Sequence, residues 1–86
     1  MDSDAYDRRQ VARAFGAVLK SARTRKGLSQ SALCDAANMD CTYSSLLERG
    51  LRTPSLLVVM EIGRALGVEP AQLVVETLAR LRGGER

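Results

Sequence analysis

The chain has 86 residues and a mass of 9.3 kDa, with 45% hydrophobic and 27% charged residues. That composition fits one small globular domain and excludes both disorder and a second independent core. Aromatic residues make up 3%, and thirteen Lys and Arg stand against ten Asp and Glu for a net +3, with no histidine; the core is therefore aliphatic, stacking platforms for single strands are excluded, and the commonest general base and metal ligand are missing together.

The basic excess is concentrated. Residues 11–30 carry Arg13, Lys20, Arg23, Arg25 and Lys26 with no acid, a pattern that suits an anion-facing edge and equally a solvated helix face. In the same stretch Val11, Phe15, Val18, Leu19 and Ala22 recur at helical spacing and predict a first helix. It is expected to start within residues 3–7, capped by Ser3 or Asp4, and to stop at Gly27 behind a basic last turn. Ser29 then caps a second helix through Ala37, with Ala32, Leu33 and Ala36 inward and Asn38 left-handed in the following turn. Asp40 caps a short third helix ending at Gly50. Thr53-Pro54-Ser55 starts a fourth that runs to Gly67, with the proline in its first turn. Glu69-Pro70 opens a fifth, carrying Leu73, Val74, Leu78 and Leu81 before the chain frays at Gly83-Gly84. No run shows strand alternation and no long loop intervenes, so the expected fold class is all-α, five helices in one bundle.

Cys34 and Cys41 do not make a disulfide framework, and no signal peptide precedes them. Two cysteines without histidine cannot fill a four-ligand zinc site, so neither metal nor cofactor is expected. The longest unbroken apolar run, Leu56 to Met60, is far short of a membrane span. A soluble, cytoplasmic protein is expected.

Residues 23–56 place two short helices about a tight turn, behind a basic helix, which is the arrangement of a helix-turn-helix. Here Arg23, Gly27-Leu28-Ser29-Gln30, Leu33, Ser45, Leu47-Glu48-Arg49-Gly50 and Pro54-Ser55-Leu56 resemble the phage-repressor-like (lambda repressor-like, XRE) regulators. The likeness extends from Val11 to Leu73. Its most specific part is a Ser-Gln pair opening one helix and Glu-Arg-Gly closing the next, 18 residues apart. Within that family Asp40, Thr42-Tyr43, Glu48-Arg49-Gly50, Arg52 and Pro54 look most like the small controller proteins of restriction–modification systems.

The resemblance implies a five-helix lambda-repressor-like DNA-binding domain. It divides the chain into residues 1–10, an extension with the start of helix one; 11–82, the DNA-binding and dimerisation domain; and 83–86, a frayed terminus. The implied DNA-binding residues are Arg23, Lys26, Ser29, Gln30, Asp40, Cys41, Thr42, Tyr43, Ser45, Leu46, Arg49 and Arg52. Gln30, at a helix N-terminus, suits a phosphate. Arg23 and Glu48 look like the family's internal ion pair, and Gly50 like its left-handed helix stop.

Helix three itself departs from the pattern. It lacks Arg for guanine and Asn or Gln for adenine, leaving Asp40 for a cytosine amino group and the Thr42 methyl for thymine. Tyr43 serves either a phosphate or packing. Readout is therefore expected to lean on Arg49, Arg52 and DNA deformability. Ser44 replaces the usual inward aliphatic residue, which predicts a loosely packed helix. A thiol at a helix start is a candidate redox switch, but Asp40 beside Cys41 works against it, and a space-filling hydrophobe is the blander account.

Helix four is apolar nearly all round, from Leu56 to Leu66. Surplus apolar surface predicts a two-fold homodimer through Leu57, Val58, Met60, Glu61, Val75 and Leu78, with recognition helices about 34 Å apart on a palindromic site. Double-stranded DNA and a second copy of the chain are the implied partners, with RNA polymerase a further candidate and no role for a membrane. The expected function is a sequence-specific transcriptional regulator, repressor or controller-like. The competing reading is a protein-interaction module on the same fold, antitoxin-like or an anti-activator. No catalytic constellation supports an enzyme.

Overall fold

The computed structural model describes residues 6–83, which form five helices: α1 Arg8–Lys26, α2 Gln30–Ala37, α3 Cys41–Glu48, α4 Leu56–Leu66 and α5 Pro70–Gly83. The expected all-α architecture is therefore present, and no strand occurs among the described residues. Ser29 Oγ accepts from Ala32 N at 3.0 Å and Ser55 Oγ from Val58 N at 3.2 Å, while Asp40 Oδ1 accepts from Thr42 N at 2.7 Å. The first helix starts later than expected. Asp7 Oδ1 takes the N–H groups of Arg9 at 2.8 Å and Gln10 at 3.2 Å, so the helix opens at Arg8. Ser3 and Asp4 lie outside the described residues. Pro54 also falls outside its helix, because Ser55 is the cap and α4 begins only after it.

Four helices end in one way. Beyond each helix a left-handed residue is followed by a hydrophobic one: Gly27-Leu28, Asn38-Met39, Gly50-Leu51 and Gly67-Val68. The N–H of that hydrophobic residue reaches back to Arg23 O (3.1 Å), Cys34 O (2.9 Å), Leu46 O (2.9 Å) and Gly63 O (3.0 Å) respectively. This is the bond that satisfies otherwise orphaned carbonyls at a helix C-terminus. Leu28 and Met39 also pack against the core, so these stops aim the chain as well as end each helix.

The core is aliphatic apart from Phe15 and is built from Val18, Leu19, Ala22, Leu33, Ala37, Leu47, Val59, Ile62, Leu66 and Leu73. Helix α1 packs on α3 and α5, and α4 on α2 and α5. At α1 against α3 the backbones nearly touch. A Cβ on Gly16 would lie 2.8 Å from Glu48 O and closer still to Leu47 O, so only glycine fits. Helix α2 turns a different face inward from the one expected: Leu33, Cys34 and Ala37 are buried and Ala36 is exposed. The Ala36 carbonyl is held from outside, accepting from Arg64 Nη2 at 2.9 Å. No helix among the described residues is long and apolar enough to cross a membrane.

Candidate nucleic-acid interface

Helices α2 and α3 flank a turn of Asn38, Met39 and Asp40, and Asn38 at φ 57° makes the reversal. Glu48, the last residue of α3, organises the unit from inside. Its Oε2 accepts from Arg23 Nε at 2.5 Å and its Oε1 from Arg23 Nη2 at 3.1 Å, with side chains 10% and 3% exposed. Arg23 Nη1 donates to Leu28 O at 2.8 Å. All three guanidinium nitrogens are thus occupied, which places Arg23 in the scaffold and away from a phosphate.

Gln30 joins the same network, its Nε2 donating to Glu48 Oε1 at 3.1 Å. The side chain remains exposed, with its Oε1 accepting no bond from the described residues. Glu48 therefore orients an amide at the N-terminus of α2 without consuming it. The coupling of Gln30 to Glu48 has no local sequence signal, because it spans 18 positions of the chain.

Along the outer side of α3, Cys41 and Thr42 are exposed and Ser45 and Leu46 half-buried, with Arg49 exposed just beyond. Asp40 Oδ1 and Ser29 Oγ each accept a cap bond, which leaves Asp40 Oδ2 and the Ser29 hydroxyl proton uncommitted among the described residues. Tyr43 packs against the core. Ser44 is fully buried, and its Oγ has no hydrogen-bond partner among the described residues.

The basic charge is arranged differently from its linear order. Arg23 is neutralised by Glu48, and Lys26 and Arg25 border a shallow depression beside Leu66, Gly67 and Val68, where the dipole at the end of α4 attracts cations. Neither joins the α3 group. Instead Arg8 and Arg9 from the start of α1 meet Arg52 and Thr53 from the α3–α4 loop, around an open cleft of about 540 Å³. Gly50, at φ 74°, turns the chain into this cleft and lies against Arg13, whose Cγ would be 2.8 Å from a Cβ there. Arginines at both rims suit a phosphate oxygen. Arg8 and Arg9 were missed because their segment carries three aspartates and looks acidic when its charges are merely summed.

The two cysteines also meet: the structure pairs Cys34 with Cys41 as a disulfide across the turn. This corrects both the setting aside of a disulfide and the space-filling account of Cys41, which is exposed while Cys34 is buried. One turn of α2 and a three-residue reversal bring the start of α3 back over the middle of α2.

On the far side, Leu57 is 67% and Met60 52% exposed, with Glu61, Arg64, Val68, Glu69 and Pro70 around a largely apolar cleft of about 460 Å³. Val75 is exposed on α5. Val58 and Leu78 are half-buried, and Val58 packs on the core. Glu61 is engaged with Arg64, Oε1 to Nη2 at 2.6 Å.

Comparison with known proteins gives consistent matches. The helix-turn-helix domain family matches residues 14–76. Control protein C.BamHI of Bacillus amyloliquefaciens is 38% identical over 61 residues, 70% of this chain and 75% of that protein. The crystal structure of the restriction–modification controller protein C.AhdI from Aeromonas hydrophila superimposes with a TM-score of 0.70 at 39% identity, covering 72% of this chain and 94% of that one. The clp gene regulator ClgR of Corynebacterium glutamicum gives a TM-score of 0.79 at 30% identity, covering 84% and 77%.

Proposed function

The chain belongs to the helix-turn-helix domain family and is a DNA-binding transcriptional regulator, and on that premise we propose that it binds a palindromic operator as a homodimer, in the manner of a small controller or repressor. Its family points to a non-enzymatic role, and a duplex DNA partner supports work in the cytoplasm. The observation that carries the proposal is the α2–turn–α3 unit, anchored inside by Glu48 and leaving Gln30, Thr42, Ser45 and Arg49 on its outer side. In such a unit α3 enters the major groove while the start of α2 meets the backbone.

The cleft of Arg8, Arg9 and Arg52 extends that surface toward a flanking phosphate. With few strong base readers on α3, phosphate contacts and the deformability of the operator carry much of the affinity. The exposed apolar surface of Leu57, Met60 and Val75 supports the second copy.

Selection of bound duplexes from a random pool tests this directly. The expected outcome is a two-fold symmetric consensus with half-sites about one DNA turn apart. Recovery of no enriched duplex at low salt would overturn it and leave the protein-interaction reading.

A further inference from the structure

The two ends of α3 are held by different means. At its C-terminal end Leu47 is in the core, Glu48 is bound by Arg23 and Gln30, and α1 passes at the closest approach Gly16 allows. At its N-terminal end the apolar hold is lighter, resting on the contact of Tyr43 with the core. Ser44 occupies the inward position with an unpartnered hydroxyl, Thr42 is exposed, and Tyr43 is only half-buried. Beyond the Asp40 cap and the Tyr43 contact, this end is tied to the protein by the bridge from Cys41, the first residue of α3, to Cys34 in α2. Their Cα atoms are 5.3 Å apart, within the ordinary span of a disulfide.

The two cysteines are also unlike in access. Cys34 is 2% exposed and Cys41 lies open at the surface. A disulfide with one reachable sulfur is open to exchange with small thiols.

We propose that Cys34 and Cys41 form a reversible oxidation site whose substrate is a low-molecular-weight disulfide, and that closing the bridge fixes the N-terminal end of α3 for DNA binding. This rests on the proposed DNA-binding role only in its last clause. In the forward direction the exposed Cys41 thiolate attacks one sulfur of the small disulfide and expels a thiolate. Cys34 then gives up its proton and attacks the Cys41 sulfur of the mixed disulfide, expelling the second thiolate. Two electrons leave the cysteine pair and reduce the small disulfide to two thiols, which take up the two protons released. Excess small thiol reverses each step.

The test uses the full chain equilibrated in oxidised and reduced glutathione at a series of ratios, with alkylation and mass measurement to count free thiols. The expected result is a reversible conversion between no free thiol and two. Amide hydrogen exchange on the same samples is expected to show Thr42 to Ser45 exchanging faster in the reduced form, with Leu47 and Glu48 unchanged. Affinity for a duplex selected as above is expected to fall about tenfold on reduction, the worth of one base contact. The double variant Cys34→Ala with Cys41→Ser, which forms neither the bridge nor a mixed disulfide, is expected to exchange and to bind like the reduced protein in every buffer.

A bridge that never forms, or that excess glutathione cannot open, overturns the oxidation site. Equal exchange at Thr42 to Ser45 in both forms overturns the fixing of α3. If thiol counts and exchange behave as expected but no duplex is bound, the oxidation site stands and the operator-binding proposal fails.

Discussion

Glu48 concentrates more of the site's physics than any other side chain. Two of its partners are nitrogens of Arg23, the third is the Gln30 amide, and its own side chain is 3% exposed. In so buried a place a pair does more to specify geometry than to stabilise, yet removing one member leaves a charge stranded. Glu48→Ala is therefore expected to cost about 3–5 kcal/mol, read as a lower urea midpoint. In a domain whose whole stability is about 5–15 kcal/mol, that loss is severe. The double variant Arg23→Met with Glu48→Leu should recover much of it, because nothing charged is then left inside. A single variant as stable as the parent would show that water reaches Arg23 and the pair is not truly buried. The Arg23–Glu48 pairing was legible only through family resemblance, since 25 residues of sequence separation hide it from any local rule. Gln30 as a third member was not legible at all, because it needs the α2 N-terminus placed over the end of α3.

At the scale of elements, caps and stops could be read almost residue by residue. Ser29, Asp40, Gly27, Asn38, Gly50 and Gly67 act where expected, because these signals are local and depend on backbone conformation alone. What escaped was the relation between helices. Gly16 sits inside α1 with no sequence sign that α3 presses on it, and the inward face of α2 is rotated from the expected one by its fit against α4. Ser44 is the case where local reading and packing agree: it was expected to weaken α3, and it is buried with an orphaned hydroxyl. Burying an unpaired hydroxyl costs about 1–3 kcal/mol, and Ala is the better helix former. Ser44→Ala is accordingly expected to stabilise the domain by about 1 kcal/mol, visible as a rise in thermal midpoint. A fall would mean that Ser44 Oγ has a partner, which would itself help to anchor the start of α3.

For the molecule as a whole, folding rearranges both charge and apolar surface. The stretch 11–30 with its five basic residues does not act as one edge, since Arg23 turns inward and Lys26 faces the end of α4. The cleft of Arg8, Arg9 and Arg52 is assembled from segments more than forty residues apart. If it meets a phosphate, Arg9→Ala should weaken binding equally on all sequences and lower the slope of log affinity against log salt by about one. An unchanged slope would place the cleft off the DNA. On the opposite side, Leu57 and Met60 are already exposed, so replacing them costs the monomer little. In a dimer the same positions would be closed off, and a charge there would have to be desolvated without a partner. Leu57→Glu is therefore expected to sediment as a monomer at tens of micromolar, where the parent sediments as a dimer, with the helical content of the two alike. Its affinity for the palindrome should fall by about 100-fold, because the second half-site is no longer delivered at high effective concentration. Affinity for an isolated half-site should stay the same. If the variant remained dimeric, α4 would not be the interface, and the exposed leucines would have to be covered by a different protein.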